Sequence, residues 1–196
     1  MCKNIEFDTI YHEHINYYNT ISMNTLVDRV GLKLHNIVKK PIHGTSYIFV
    51  IKRKSNQKKI KKFLISEKYY SLKFYLNWAR KCEKKVKLIK KKIDKIYVNN
   101  KIIGYGAAAK ANTFLNFSNI KLHLIIDDNK LKQNKFTPGS KILIKDSSEL
   151  KKINQKLYIL PLAWNFYSEI RNKVKSIRPK KEDRFILCFP KFKIMK

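Results

Sequence analysis

Ile102-Ile103-Gly104-Tyr105-Gly106-Ala107-Ala108-Ala109-Lys110-Ala111-Asn112-Thr113 decides how this chain folds. An apolar pair runs into a glycine turn, and the turn runs into good helix formers. Asp127 closes the next apolar run, Leu122 to Ile126, 21 residues beyond Gly106. This is strand, tight turn, helix, strand, with the turn in G-x-G-x-x-A form. Glycines let the backbone pass close to a phosphate, Ala109 lets the helix pack close to the strand, and the helix N-terminus offers oriented N–H groups. A carboxylate at the end of the second strand can take a ribose hydroxyl. The same letters also suit a turn built only for helix–sheet packing. Lys110 and Asn112 put a cation and an amide at the same mouth.

Outward from this unit the alternation continues. A loop holding Pro138-Gly139 leads to a short strand Lys141 to Ile144, a helix near Ser148 to Ile153 and a strand Leu157 to Leu160. A helix Phe166 to Val174 and a strand Phe185 to Phe189 follow. Such a series predicts a mostly parallel sheet with helices on both faces. On the N-terminal side, Ile60, Phe63, Phe74, Trp78, Cys82, Val86, Ile89, Ile93 and Ile96 recur at three- and four-residue steps among lysines, predicting a long amphipathic helix from Ser55 to about Tyr97. The first fifty residues read as an extended run Phe7 to Ile10, a helix Ser22 to Val30 ended by Gly31, and strands Leu32 to Val38 and Thr45 to Lys52 around a turn at Pro41 to Gly44.

Composition narrows the function. The 196 residues are 44% hydrophobic with only 5 Gly and 5 Pro, which excludes collagen-like and wholly disordered chains. No apolar run reaches the roughly 20 residues of a membrane span, and the N-terminus has no signal-peptide core, so a soluble, cytoplasmic protein is expected. Cys2, Cys82 and Cys188 are far apart and odd in number, which suits a reducing compartment. The net charge of +30 invites nucleic acid, but it comes from 38 Lys and only 6 Arg. Lys, Ile and Asn make 81 of the residues, and all three have A/T-rich codons. Selection for phosphate or base readout would have favoured the arginine fork. Most of these lysines are therefore expected to be solvated surface, and nucleic acid is not the expected partner.

Tyr11-His12-Glu13-His14 is the second cluster. A histidine titrating near neutrality can take a carbon-bound proton, a carboxylate can orient it, and a phenol can donate to a developing enolate oxygen. The same residues could instead begin a metal site, lacking a clear third ligand, or form a polar loop without chemistry.

Taken together, Phe7 to His14, His43-Gly44-Thr45-Ser46, Gly104 to Thr113, Asp127, Pro138-Gly139 and Leu162-Ala163-Trp164-Asn165-Phe166 resemble the C-terminal part of the S-adenosylmethionine-dependent nucleotide-sugar C-methyltransferases. The resemblance implies methylation of a carbon next to a ketone on a nucleotide-linked deoxysugar, typically a thymidine-diphosphate sugar. It implies His14 as the base, with Tyr11 and Glu13 assisting enolisation. It places the sugar nucleotide against Gly104, Gly106, Lys110, Asn112, Asp127, Trp164, Asn165 and His43. The family has a zinc domain and a donor-binding Rossmann domain ahead of this region. Neither the zinc cysteines nor the S-adenosylmethionine loop is visible in this sequence, and no metal is expected in the chain. Gly44-Thr45-Ser46 stands where the family usually has Gly-Gly-Ser, and Ala111 where glycine is common.

The expected organisation is an α/β chain in three parts. Residues 1–53 are the last strands of a partial methyltransferase domain, 54–97 a helical connector, and 98–196 a Rossmann-like C-terminal domain. The expected function is the C-terminal part of a sugar C-methyltransferase, inactive unless a neighbouring chain supplies the zinc and donor-binding segments. Alternatives are a non-catalytic nucleotide-sugar-binding module and a basic RNA-binding protein. An open strand edge in the first part makes self-association an expectation.

Overall fold

A computed structural model describes residues 2–40, 46–67 and 70–196. The expected turn at Pro41 to Gly44, including His43, lies outside the described residues, as does Thr45. The chain forms two compact units, one of residues 12–80 and one in which 2–11 join 81–196.

In the first unit, helix α1 (Thr20–Arg29) starts on a reciprocal cap: Asn19 Oδ1 accepts the Ser22 N–H at 2.8 Å and Ser22 Oγ accepts the Asn19 N–H at 3.0 Å. Strands β1 (Lys33–Lys40) and β2 (Ser46–Lys52) pair antiparallel, with a register shift between Leu34 and Asn36. Val27, Leu34, Ile37 and Ile60 form the core, with Tyr47, Phe49 and Phe63 packed against it.

The long helix expected from Ser55 to Tyr97 is divided. Gln57 takes a left-handed conformation (φ 56°), a 3-10 turn covers Lys58–Ile60, and helix α2 spans Lys61–Glu67. Helix α3 (Leu72–Tyr97) then begins with Ser71 Oγ accepting the Phe74 N–H at 3.3 Å. The division lets α2 return to α1, where the buried Glu67 carboxylate accepts the Thr20 N–H. The apolar stripe keeps three- and four-residue steps within α3, and its eleven-residue step from Phe63 to Phe74 spans the break.

The second unit is a six-stranded sheet of order β5-β4-β3-β6-β7-β8. Its members are β3 (Lys101–Tyr105), β4 (Ile125–Ile126), β5 (Ile144–Lys145), β6 (Leu157–Pro161), β7 (Arg184–Leu187) and β8 (Lys193–Met195). All neighbours are parallel except β7 and β8. The last strand, β8, is short and exposed throughout, and sequence periodicity does not announce it. The runs expected at Leu122 to Ile126 and Lys141 to Ile144 pair over only two residues each.

One face carries Ile103, Tyr105, Ile126, Leu157, Ile159 and Phe185 against helices α5 (Glu149–Lys152) and α6 (Tyr167–Ile177), which contribute Leu150, Ile170 and Val174. The alternate strand residues Ile102, Ile125, Leu160 and Ile186 are also buried and point the other way. Helix α4 (Ala109–Ser118) buries Ala111, Phe114 and Leu115, and α3 buries Cys82, Val86, Ile89 and Ile93 on one stripe. Asn100 Nδ2 donates to the Ile96 carbonyl at 2.9 Å and closes α3.

This is an α/β, Rossmann-like, mostly parallel sheet. Strand order reverses between β3 and β6, since the chain leaves β3 for β4 and β5 on one side and returns to β6 on the other. A crevice outside the carboxyl ends of those two strands is where such sheets bind ligands.

Phe7 to Ile10 is not extended. Phe7–Thr9 forms a 3-10 turn whose Phe7 ring packs on Phe114, Phe117 and Phe189 at centroid distances of 6.4, 5.0 and 5.7 Å. Aromatic burial wins over the β-propensity of the segment.

Candidate functional site

The glycine turn lies at the reversal point. Gly106 has φ +94°, open to glycine at little cost, and a Cβ there would lie 3.1 Å from the Ala163 Cβ. A Cβ on Gly104 would lie 2.7 Å from Leu162 Cδ1. The turns after β3 and β6 thus touch, and the Leu162 N–H donates to the Tyr105 carbonyl at 2.9 Å. Both glycines serve close approach of the two turns. Helix α4 follows with Ala108 at its N-cap, which provides no side-chain acceptor for the first N–H groups.

Asp127 sits at the end of β4 with a buried carboxylate. Its Oδ2 accepts the Ala107 N–H at 2.6 Å and its Oδ1 accepts the Asn129 N–H at 2.8 Å. Lys132 Nζ lies 3.7 Å from Oδ2 and donates to the Ala107 carbonyl at 2.9 Å. In this structure the carboxylate expected to face a ribose braces the glycine turn. Its neighbour Asp128 accepts from Tyr105 Oη at 3.1 Å and pairs with Lys173 Nζ at 2.6 Å. Burial, then the Asp128 carboxylate, push the Tyr105 phenol well above its ordinary range, so it stays a donor.

Trp164 begins a 3-10 turn after β6, with exposed Asn165 next to it. Lys110 Nζ lies 5.6 Å from the Trp164 ring centroid, and Phe189 lies at 6.0 Å with its plane tilted by 32°. Asn112 stands in the same helix as Lys110, with Oδ1 buried and lacking a hydrogen-bond partner among the described residues. Thr113 Oγ1 donates to the Ile10 carbonyl at 3.4 Å, tying the N-terminal segment to α4. The structure therefore brings Gly104, Gly106, Lys110, Asn112, Asp127, Trp164 and Asn165 to one edge of one sheet.

Sequence reasoning missed Asp8. The residue is 1% exposed, and its Oδ2 accepts the Trp164 indole N–H at 2.9 Å across 156 positions of sequence. Two acids, Glu6 and Asp8, flank Phe7, so the local sequence does not mark the one that meets the indole, although burial of an acid demands a partner.

Tyr11 ends the N-terminal segment of the second unit, half-buried. His12, Glu13 and His14 open the first unit on an exposed stretch. His12 Nε2 is 3.9 Å from Glu13 Oε1, and the His14 ring meets Tyr17 edge-on at 6.2 Å. Among the described residues no three His, Cys, Asp or Glu converge to hold a metal. No described helix is long and apolar enough to cross a membrane.

Away from the sheet edge, a groove of about 400 Å³ runs along α3, lined by Lys81, Lys84, Lys85, Lys92 and Lys191 over Leu88, Ile89 and Phe192. Burial lowers the Lys85 pKa, and Asp8 and Glu6 partly offset this.

A family model described as the C-methyltransferase C-terminal domain matches residues 41–190. The chain belongs to that family. Its sheet edge, glycine turn and Trp164 are thus those of a C-methyltransferase C-terminal domain. The chain is also similar to the C-methyltransferase NovU of Streptomyces niveus, with 26% identity over 206 aligned residues, covering 100% of this chain and 49% of the relative. It spans about half the length of the curated relative it matches.

Proposed function

We propose that this chain is the sugar-nucleotide-binding and proton-abstracting part of an S-adenosylmethionine-dependent C-methyltransferase acting on a nucleotide-linked keto-deoxysugar, with a thymidine diphosphate carrier. The observation that carries the reading is the glycine turn and Trp164 at the strand-order reversal, with Lys110 and the unpartnered Asn112 amide oxygen on the helix that follows. Lys110 offers a cation to a diphosphate, the α4 N-terminus offers N–H groups, and Asn112 accepts from a hydroxyl or imide donor.

His14 is the base for the proton next to the ketone. Loss of that proton moves the C–H electron pair into an enolate, Tyr11 donates a hydrogen bond to the enolate oxygen, and Glu13 holds a histidine in the productive tautomer. The methyl donor, when bound, supplies an electrophilic methyl group. His43 is proposed as a further sugar contact. Methyl transfer by this chain is expected only beside a donor-binding part, because attack at the methyl carbon requires the reactants held in line.

Titration calorimetry with a thymidine-diphosphate keto-deoxysugar tests the reading. Saturable binding in the micromolar to low millimolar range is expected, weakened by Lys110→Ala and Asn112→Ala. No saturation at millimolar ligand rejects it.

A further inference from the structure

Asp8 is 1% exposed, yet only its Oδ2 has a partner: Oδ1 has none among the described residues. A neutral acceptor would satisfy an indole N–H as well, without a buried charge. What a carboxylate adds is a directional acceptor for the indole, at 2.9 Å, and an acid whose charge also acts on Lys85. The turn that carries Asp8 is itself fixed, because Phe7 is clamped among Phe114, Phe117 and Phe189. Phe189 is also the ring against which Trp164 leans. The indole is thus held at its edge by Asp8 and against its plane by Phe189, while part of the residue remains open and Lys110 Nζ stands 5.6 Å from its ring.

We infer that Asp8 is a positioning residue that locks the plane of Trp164, and that the locked indole is the stacking surface for the base of a nucleoside diphosphate whose phosphates meet Lys110. This rests on the proposed sugar-nucleotide reading and deepens it. A flat aromatic platform beside an ammonium matches a ligand with a π-face at one end and negative charge at the other. Fixing the platform before binding removes the ordering cost of a large side chain from the association step.

Trp78 and Trp164 are the two tryptophans, and the Trp78 indole N–H is buried without a partner among the described residues, so Trp78→Phe removes no hydrogen bond seen there and leaves Trp164 as the sole reporter. In that background, thymidine diphosphate is expected to quench Trp164 emission, and inorganic pyrophosphate to bind Lys110 without quenching. Asp8→Ala is expected to diminish the near-ultraviolet ellipticity of Trp164 and weaken thymidine diphosphate about tenfold, leaving pyrophosphate affinity within about threefold. Asp8→Asn keeps an acceptor and retains most of both signals. A Trp164→Phe and Asp8→Leu cycle, in which the second change removes the acceptor while keeping bulk, should be non-additive for thymidine diphosphate. Unchanged ellipticity and affinity in Asp8→Ala overturns the positioning role; should that variant fail to fold, an additive cycle does so instead. Equal quenching by pyrophosphate overturns the stacking role. If the parent binds no thymidine diphosphate at all, the sugar-nucleotide reading fails and the stacking role fails with it, while the ellipticity still judges the clamp by itself.

Discussion

Gly106 and Ala163 belong to different turns, and a Cβ on the first would stand 3.1 Å from the Cβ of the second. Gly106→Ala therefore meets two obstacles, the positive φ and the crowded neighbour. A loss of about 1–3 kcal/mol is expected in urea unfolding, with weaker sugar-nucleotide binding because the α4 N-terminus is displaced. Gly31→Ala is the useful control: it shares a positive φ of +73° but faces nothing within 4 Å. Equal losses at the two positions would mean that packing between the turns contributes nothing.

Arg178 and Asp183 form a buried pair at the opposite end of the sheet. Arg178 Nε donates to Asp183 Oδ2 at 2.6 Å, its Nη1 to the Leu150 carbonyl at 2.7 Å, and its Nη2 to the Gln155 carbonyl at 2.8 Å; the Leu157 N–H donates to Asp183 Oδ1 at 2.8 Å. Arg178→Ala leaves a buried carboxylate uncompensated and is expected to cost about 3–5 kcal/mol in denaturant unfolding. Arg178→Lys should recover little of it, since one ammonium cannot fill the fork.

Burial pushes the Cys188 thiol up to about 12 and the Cys82 thiol up to about 11, from an ordinary value of 9.0. The fold favours the neutral thiols, so their contribution to stability is whole below pH 9 and is lost as pH climbs toward 11 and 12. Iodoacetamide at pH 8 should label half-exposed Cys2 first and leave Cys188 untouched until urea is added, as peptide mass mapping would show. Labelling of Cys188 in the native protein would contradict its burial.

His14→Ala, in an assembly that includes a donor-binding part, should abolish both methylation and solvent exchange of the sugar's α-proton, followed by deuterium incorporation. Exchange at the parental rate would pass the role to Glu13 or Tyr11. The chain tested by itself should transfer no methyl group.

The five lysines of the α3 groove make the basic alternative testable. If it holds, RNA binds at physiological salt with a steep salt slope that falls when Lys84 and Lys92 are replaced by Gln. The sugar-nucleotide reading expects only weak, sequence-indifferent retention.

The glycine turn and the alternation beyond it could be read from the sequence because strand period, helix period and glycine placement agreed there. The break between α2 and α3 could not, because it is marked only by an eleven-residue gap in the apolar stripe, from Phe63 to Phe74, with no proline or glycine in it. Asp127 illustrates a different limit: its place at a strand end is a matter of spacing, but whether its oxygens face a ligand or the Ala107 and Asn129 N–H groups is decided by a backbone path that spacing does not encode. Asp8 depends on a partner 156 positions away, beyond the reach of any local pattern.

With its carboxylate already spanning the Gly106-Ala107 turn and the loop at Asn129, Asp127 makes the mouth of the sheet a finished shape before anything arrives. A ligand entering there meets a rigid rim, so its arrival should involve little change in backbone order and a heat-capacity change set by the surface it covers. On the proposed sugar-nucleotide reading, selectivity at such a rim would come from exclusion, since moving the turn to admit a misfitting carrier would first break two backbone hydrogen bonds to Asp127.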